Sequence, residues 1–176
     1  IVEFDRDNNL WVVSSNTTDI LAVKTPDNDW YSYSFPGLIN PNLDFYTEMI
    51  IDNRGYKWIV NREDHSIIVF DDNGTLDDIT DDRSKRLRVL GNENQTLDIR
   101  CIQEDLDGEI WVGTDEGVAV FFSPSEVFDR DIEAEQIFIQ QDGSTEILLG
   151  SEIINTILVD GGNRKWIGTT KSGVFL

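Results

Sequence analysis

Thirty-four acidic residues give this chain many carboxylates, but few of them fall at spacings that could bind a metal or move a proton. Asp105-Leu106-Asp107-Gly108, with Glu116 at the twelfth position, has the outline of a calcium loop. Such a loop needs glycine at its sixth position for the sharp turn; here Ile110 stands there and Trp111 follows at the seventh. Asp71-Asp72-Asn73-Gly74 reads as a hairpin turn. Asp77, Asp78, Asp81 and Asp82 read as a solvated acidic loop, fit at most for weak divalent binding. Paired carboxylates hydrolyse glycosides, but nothing in the spacing marks out a pair. Cys101 is the sole cysteine and can form no internal disulfide. A nucleophilic thiol needs a basic partner to lower its pKa, and the sole histidine, His65, is far away in sequence. Within Ile99-Arg100-Cys101-Ile102 a buried, inert thiol is the simpler reading. No phosphate loop, zinc spacing or Ser-His-Asp order is present. The residues therefore predict no catalytic, cofactor-binding or metal site and no cofactor, and they do not single out ligand-binding positions.

Two aromatic features bear on recognition. Trp30-Tyr31-Ser32-Tyr33-Ser34-Phe35 alternates like a strand and carries four aromatics. Such a platform can stack sugars, though packing within the fold is the simpler expectation. Tyr56 lies in a turn, where exposure is expected, without a visible partner.

The elements that position these residues come from an internal repeat. Trp11, Trp58, Trp111 and Trp166 each follow an aspartate by six residues: Asp5, Asp52, Asp105 and Asp160. Three residues before each tryptophan stands Asn8, Gly55, Gly108 or Asn163, and a β-branched residue follows it. Asp at the first position of a type I turn accepts hydrogen bonds from the turn's own N–H groups. The fourth position must then adopt a left-handed conformation to close the hairpin, which favours Gly and next Asn. The recurring aspartates are thus turn-makers first. Ile20-Leu21-Ala22-Val23, Ile67-Ile68-Val69-Phe70, Val118-Ala119-Val120-Phe121 and Val174-Phe175-Leu176 supply third strands. Fourth strands are expected over Trp30–Phe35, Leu87–Leu90 and Gln136–Gln140.

A unit of about 50 residues with four short antiparallel strands is what a propeller blade requires. The sequence predicts an all-β chain, a β-propeller fragment of three four-stranded antiparallel blades plus an incomplete fourth. Boundaries fall at about 1–42, 43–95, 96–150 and 151–176, as one partial propeller cut from a longer chain. The tryptophans are expected to fill the space between blades. Apolar faces at both ends of such an arc would be covered by further blades in a longer protein. In the isolated segment, two copies are expected to pack through them as a homodimer.

Composition narrows the partners. With 14 Lys+Arg against 34 Asp+Glu, the formal net charge is −20. A surface this acidic repels phosphate backbones and anionic headgroups, so neither nucleic acid nor direct membrane insertion is expected. Hydrophobic residues make up 39% of the chain, enough for a packed core.

The pattern I-x-x-D-x-x-G-x-x-W-V-G-T followed by G-V, best seen from Ile102 to Val118 and again from Ile157 to Val174, resembles the two-component regulator propeller repeat. In the two earlier copies Ser14-Ser15 and Asn61-Arg62 replace the Gly-Thr pair. A narrower stretch, Ile137-Phe138-Ile139-Gln140-Gln141-Asp142-Gly143 with Asn163 to Thr169 and Gly173 to Leu176, is similar to the propellers of PorZ-like type IX secretion components. That resemblance implies a non-enzymatic module at the periplasm or cell surface, which partners a sortase and contacts lipopolysaccharide. The leading expectation is therefore a β-propeller binding a protein partner or a surface glycan. A carbohydrate-binding sensor propeller of a hybrid histidine kinase is the alternative, and a propeller lyase or hydrolase the third reading.

Overall fold

The structure is a computed structural model that describes residues 1–141 and 143–176, with the backbone alone at Gln141. Asp142, part of the run quoted above, lies outside the described residues. The chain is all-β. Val2–Phe4 (β1), Leu10–Val13 (β2), Leu21–Lys24 (β3) and Trp30–Tyr33 (β4) form one antiparallel meander. Tyr46–Ile51 (β5), Lys57–Asn61 (β6), Ser66–Asp71 (β7) and Arg83–Leu87 (β8) form a second. Ile99–Glu104 (β9), Ile110–Thr114 (β10), Gly117–Phe121 (β11) and Glu135–Gln136 (β12) form a third. Phe138–Gln141 (β13) and Ser144–Ile147 (β14) make a separate hairpin. Ile154–Val159 (β15), Lys165–Thr169 (β16) and Val174–Phe175 (β17) form a three-stranded sheet. These are consecutive propeller blades, each sheet numbered here by its order in the chain.

Each blade opens on the same hairpin for the same local reason. Asn8 and Asn163 have φ of 62° and 60°, and Gly55 and Gly108 have 92° and 81°. This is the left-handed position that the fourth turn residue must occupy. The turns close through Asn8 N–H to Asp5 O at 3.2 Å, Gly55 to Asp52 at 3.0 Å, Gly108 to Asp105 at 3.1 Å and Asn163 to Asp160 at 2.9 Å.

The chain divides into two compact units, 1–87 and 88–176. In the first, Trp11, Val13, Leu21, Val23 and Tyr33 share one face of blade one and are buried with Met49, Ile59, Ile68 and Phe70 of blade two. Trp11 stacks on Tyr33 at 5.8 Å and meets Phe70 edge-on at 6.3 Å. Lys57 is buried with its Nζ 3.9 Å over the Trp11 ring and 2.7 Å from Asp72. That arrangement satisfies the ammonium while its stem packs as a hydrocarbon. The second unit repeats the scheme. Cys101 and Val118 of blade three are buried with Ile154, Ile157 and Ile167 of blade four, and Trp111 packs against that cluster. Lys165 Nζ sits 4.8 Å over the Trp111 ring and 2.8 Å from Asp105. Asn163 adds a second tie, donating to Asp107 at 2.8 Å and accepting from the Leu106 N–H at 3.0 Å.

Four expectations need correction. The fourth strand of blade two is Arg83–Leu87, not Leu87–Leu90; Leu90 makes only an isolated bridge to Thr96. The Gln136–Gln140 strand is split: Glu135–Gln136 completes blade three, while Phe138 onward pairs with Ser144–Ile147. The Gly-Thr substitution lies one residue earlier, because Val13 and Val60 hold the register of Gly113, and Ser14 and Asn61 that of Thr114. The tryptophans are also not equivalent. Trp11 and Trp58 are fully buried and Trp111 half-buried, but Trp166 is 39% exposed.

Candidate functional site

The recurring aspartates are engaged in their own hairpins, and Asp105 also pairs with Lys165 of the next blade. Asp5 Oδ1 accepts from the N–H groups of Asp7 and Asn9, both at 2.9 Å. Asp52 holds Arg54 and Tyr56 in the same way, Asp105 holds Asp107 and Glu109, and Asp160 holds Gly162 and Arg164. The other carboxylate oxygen has a job that the sequence reading missed. It accepts the tryptophan indole N–H, at 2.8 Å for Trp11, 3.0 Å for Trp58, 3.3 Å for Trp111 and 3.0 Å for Trp166. The six-residue spacing was the available signal: across a tight hairpin it places the ring edge beside the carboxylate. Burial pushes the Asp5 carboxyl up, but the bonds from Trp11, Asn9 and Asp7 outweigh it and hold it below the ordinary carboxylate range. Asp105 is held low against burial chiefly by Lys165. At Asp160 the Trp166 bond leads several that depress it. Carboxylates held ionised by fixed donors are poor proton carriers.

The remaining sequence candidates separate in space. Glu116, twelfth in the calcium-like run, accepts from Gln95 at 2.9 Å while Asp105 stays in its turn. Asp72, Asn73, Gly74 and Thr75 form a β-turn, with Asn73 at φ 48° and Gly74 at 78°, but it lies at the start of the long connector from β7 to β8 and does not itself close the hairpin. Asp71 pairs with Arg83 at 2.5 Å. Asp77 and Asp78 are exposed, as a solvated loop requires, whereas Asp81 and Asp82 are half-buried. Asp81 is tied to Asn73 and Thr75, both at 3.0 Å. Burial together with the charges of Asp72 and Asp81 pushes Asp82 up to about 6. Among the described residues, no group of three or more His, Cys, Asp or Glu is arranged to hold a metal ion.

Cys101 is buried in β9 under Gly113, and His65 is exposed in the turn between β6 and β7. Tyr56 is half-buried and hydrogen-bonds Arg83, which corrects the expectation of an exposed, partnerless ring. Of the aromatic run, Tyr33 and Phe35 are buried and Tyr31 packs on the same core, while Trp30 is 59% exposed. Tyr33 also donates to the Leu76 carbonyl at 3.1 Å, which anchors the acidic connector to blade one.

One candidate surface for recognition is a polar cleft of about 430 Å³ in the second unit. It is lined by Phe122, Ser123, Arg130, Asp131, Ile132, Glu133 and Glu135. The connector from β11 to β12 builds it: Phe122 leaves the strand, a short 3-10 turn over Pro124–Glu126 reverses the chain, and β12 restores the sheet. Buried Pro124 and Val127 root the turn, and Arg130 pairs with Glu126. Carboxylates, a guanidinium and an exposed aromatic ring form a surface that can accept hydrogen bonds from hydroxyls or ammonium groups and stack a flat or apolar face. The sequence signal was connector length alone. Blade one crosses the same corner with Thr25–Asp29, against Phe122–Ala134 in blade three.

No family model and no curated protein matches the sequence. Solved structures match in fold. PorZ, an essential surface component of the type IX secretion system of Porphyromonas gingivalis, is 23% identical with a TM-score of 0.86, over 99% of this chain and 25% of that one. The extracellular domain of a putative one-component system from B. thetaiotaomicron is 20% identical with a TM-score of 0.63, over 99% of this chain and 20% of that one. Virginiamycin B lyase from Staphylococcus aureus is 17% identical with a TM-score of 0.60, over 99% of this chain and 53% of that one. The chain thus spans about a quarter of the length of PorZ.

Proposed function

We propose that this chain is a non-enzymatic, extracytoplasmic propeller module that binds a protein or glycan partner, in the manner of a type IX secretion component. The observation that carries this reading is the use of the repeat's acids: the aspartates that recur in every blade are bound to their own turns and tryptophans. Recognition then falls to the connectors, where the Phe122–Glu135 cleft lies. The likeness to PorZ, along nearly the whole chain, supports the same assignment. Among the described residues, no helix is long and apolar enough to cross a membrane. The net charge of −20 favours a neutral or cationic partner surface over bare anionic lipopolysaccharide. A glycan-sensing role is the second reading, supported by the fold likeness to the B. thetaiotaomicron extracellular domain.

The test pairs binding with turnover. The chain and its Phe122→Ala/Glu133→Gln variant are screened against basic surface proteins, lipopolysaccharide and neutral oligosaccharides. A partner lost about tenfold or more in the variant is expected, together with no hydrolysis or elimination on glycan and lactone substrates. Turnover abolished by mutating one carboxylate pair would overturn the reading.

A further inference from the structure

Asn73 is the only asparagine in the chain that is followed by glycine. The backbone nitrogen after an asparagine can attack the side-chain amide carbon, and glycine permits that approach because no Cβ stands in the way. Placement within one chain supplies the nucleophile at a high effective concentration. Both residues are exposed, at the start of the connector from β7 to β8. The space that a Cβ on Gly74 would occupy has no heavy atom within 4 Å beyond its chain neighbours, which leaves room for a ring to close. The turn is held by the Thr75 N–H on the Asp72 carbonyl at 2.8 Å and by the Asn73 N–H on Asp71 at 2.9 Å. The Gly74 N–H has no acceptor among the described residues, so solvent base can reach it.

The Asn73 amide keeps the connector closed. Its Nδ2 donates to Asp81 Oδ2 at 3.0 Å, and the Thr75 hydroxyl lies 3.0 and 3.3 Å from the two Asp81 oxygens. These ties join the first residues of the connector to its far end. Asp81 is thus held by two neutral donors, whereas Asp72 is paired with Lys57 and Asp71 with Arg83. Negative charge is already crowded here: burial and the charges of Asp72 and Asp81 push Asp82 up to about 6. A separate tie, the Tyr33 hydroxyl on the Leu76 carbonyl at 3.1 Å, fastens the middle of the connector to blade one without Asn73.

We propose that Asn73 is a self-modification site whose slow conversion releases this connector. Solvent base takes the Gly74 N–H proton, the nitrogen forms a bond to Asn73 Cγ, and the Cγ–Nδ2 bond breaks as the amide nitrogen takes a proton and leaves as ammonia. The resulting succinimide adds water at one of its two carbonyl carbons and opens to aspartate or isoaspartate. Neither product carries the Nδ2 donor, so Asp81 loses that bond and meets a carboxylate in its place. Like charges so close repel, and the far end of the connector parts from the turn. Isoaspartate also adds a methylene to the main chain inside the turn. Tyr33 still holds Leu76, so the change is confined to the surface of blade two and leaves the core packed.

Peptide mapping by mass spectrometry of the whole chain, held at mildly alkaline pH, tests the chemistry, and hydrogen exchange over residues 75–82 tests the release. Asn73→Gln keeps a side-chain amide but would have to close a larger ring, and Asn73→Asp copies the aspartyl product. The wild type is expected to show the mass change of an NH-to-O exchange at residue 73 before any other asparagine, with a second, separately eluting peptide for isoaspartate. Asn73→Gln is expected to keep its amide. Aged wild type and fresh Asn73→Asp are both expected to exchange connector amides about tenfold or more faster than fresh wild type, as the loss of one hydrogen bond to a charged group implies. Residue 73 remaining an amide throughout would overturn the proposal. Conversion there with unchanged connector exchange would overturn the release, as would an Asn73→Gln sample whose exchange quickens with age as much as the wild type's.

Discussion

A carboxylate six residues ahead of a tryptophan does two things at once in this chain. One oxygen closes the turn and the other fixes the indole, so a single Asp sets both the hairpin and the direction in which the largest side chain points. Protonation separates these acids from Asp82. The pKa values of Asp5, Asp105 and Asp160 are lowered, so their contribution is present above the ordinary carboxylate value and lost as pH falls below about 4. Asp82 is raised to about 6, so the folded state holds its proton more tightly than the unfolded chain does. Its contribution is therefore full below about pH 4 and lost as pH rises through about 6. Melting temperature should rise between pH 7 and 5 and then fall below pH 4. Asp82→Asn should flatten the upper slope and leave the lower one. A variant with an unchanged pH 5–7 slope would show that Asp82 is not its source.

At the level of the strand, the Gly-Thr pair after the tryptophan has two separate causes. Thr114 accepts from the Glu116 N–H at 3.1 Å and donates to the Gly117 carbonyl at 2.9 Å, which closes the β10–β11 turn. Thr169 does the same with Ser172 and Gly173. Gly113 is there for space: a Cβ would collide with Cys101 Sγ and approach Ile154 Cγ2 to 2.6 Å. Gly113→Ala should cost about 1–3 kcal/mol through overpacking. Cys101→Ala, which removes the sulfur, should recover part of that loss, measured as non-additivity of urea midpoints in the double variant. Strict additivity would refute the clash. Fourth strands were the least legible elements. Arg83-Ser84-Lys85-Arg86-Leu87 is exposed except at half-buried Lys85 and the buried C-terminal Leu87, so no inward periodicity marks it. An edge strand has a partner on one side only, which leaves its composition to solubility.

Across the whole molecule, a charge of −20 on 176 residues acts against compactness. The ion pairs that matter for packing, Lys57–Asp72 and Lys165–Asp105, are largely shielded from solvent, whereas most acids are not. Raising salt from low to physiological concentration should therefore raise the melting temperature of the chain, since screening weakens exposed repulsion more than buried attraction. A fall in melting temperature, followed by calorimetry at fixed pH, would mean that surface ion pairs dominate instead.

The sequence by itself determined the hairpins, their Asp, Asn and Gly positions, and the order of the inner three strands in each blade. All of that is settled within a few residues, by turn geometry and side-chain alternation. Only the tertiary structure decided how much of each tryptophan is covered, that lysines cap two of their rings, and that a long connector in blade three opens a cleft. Burial depends on which blade lies alongside in space. Trp11 and Trp111 sit in the same local pattern, and the first is fully buried while the second is half-buried.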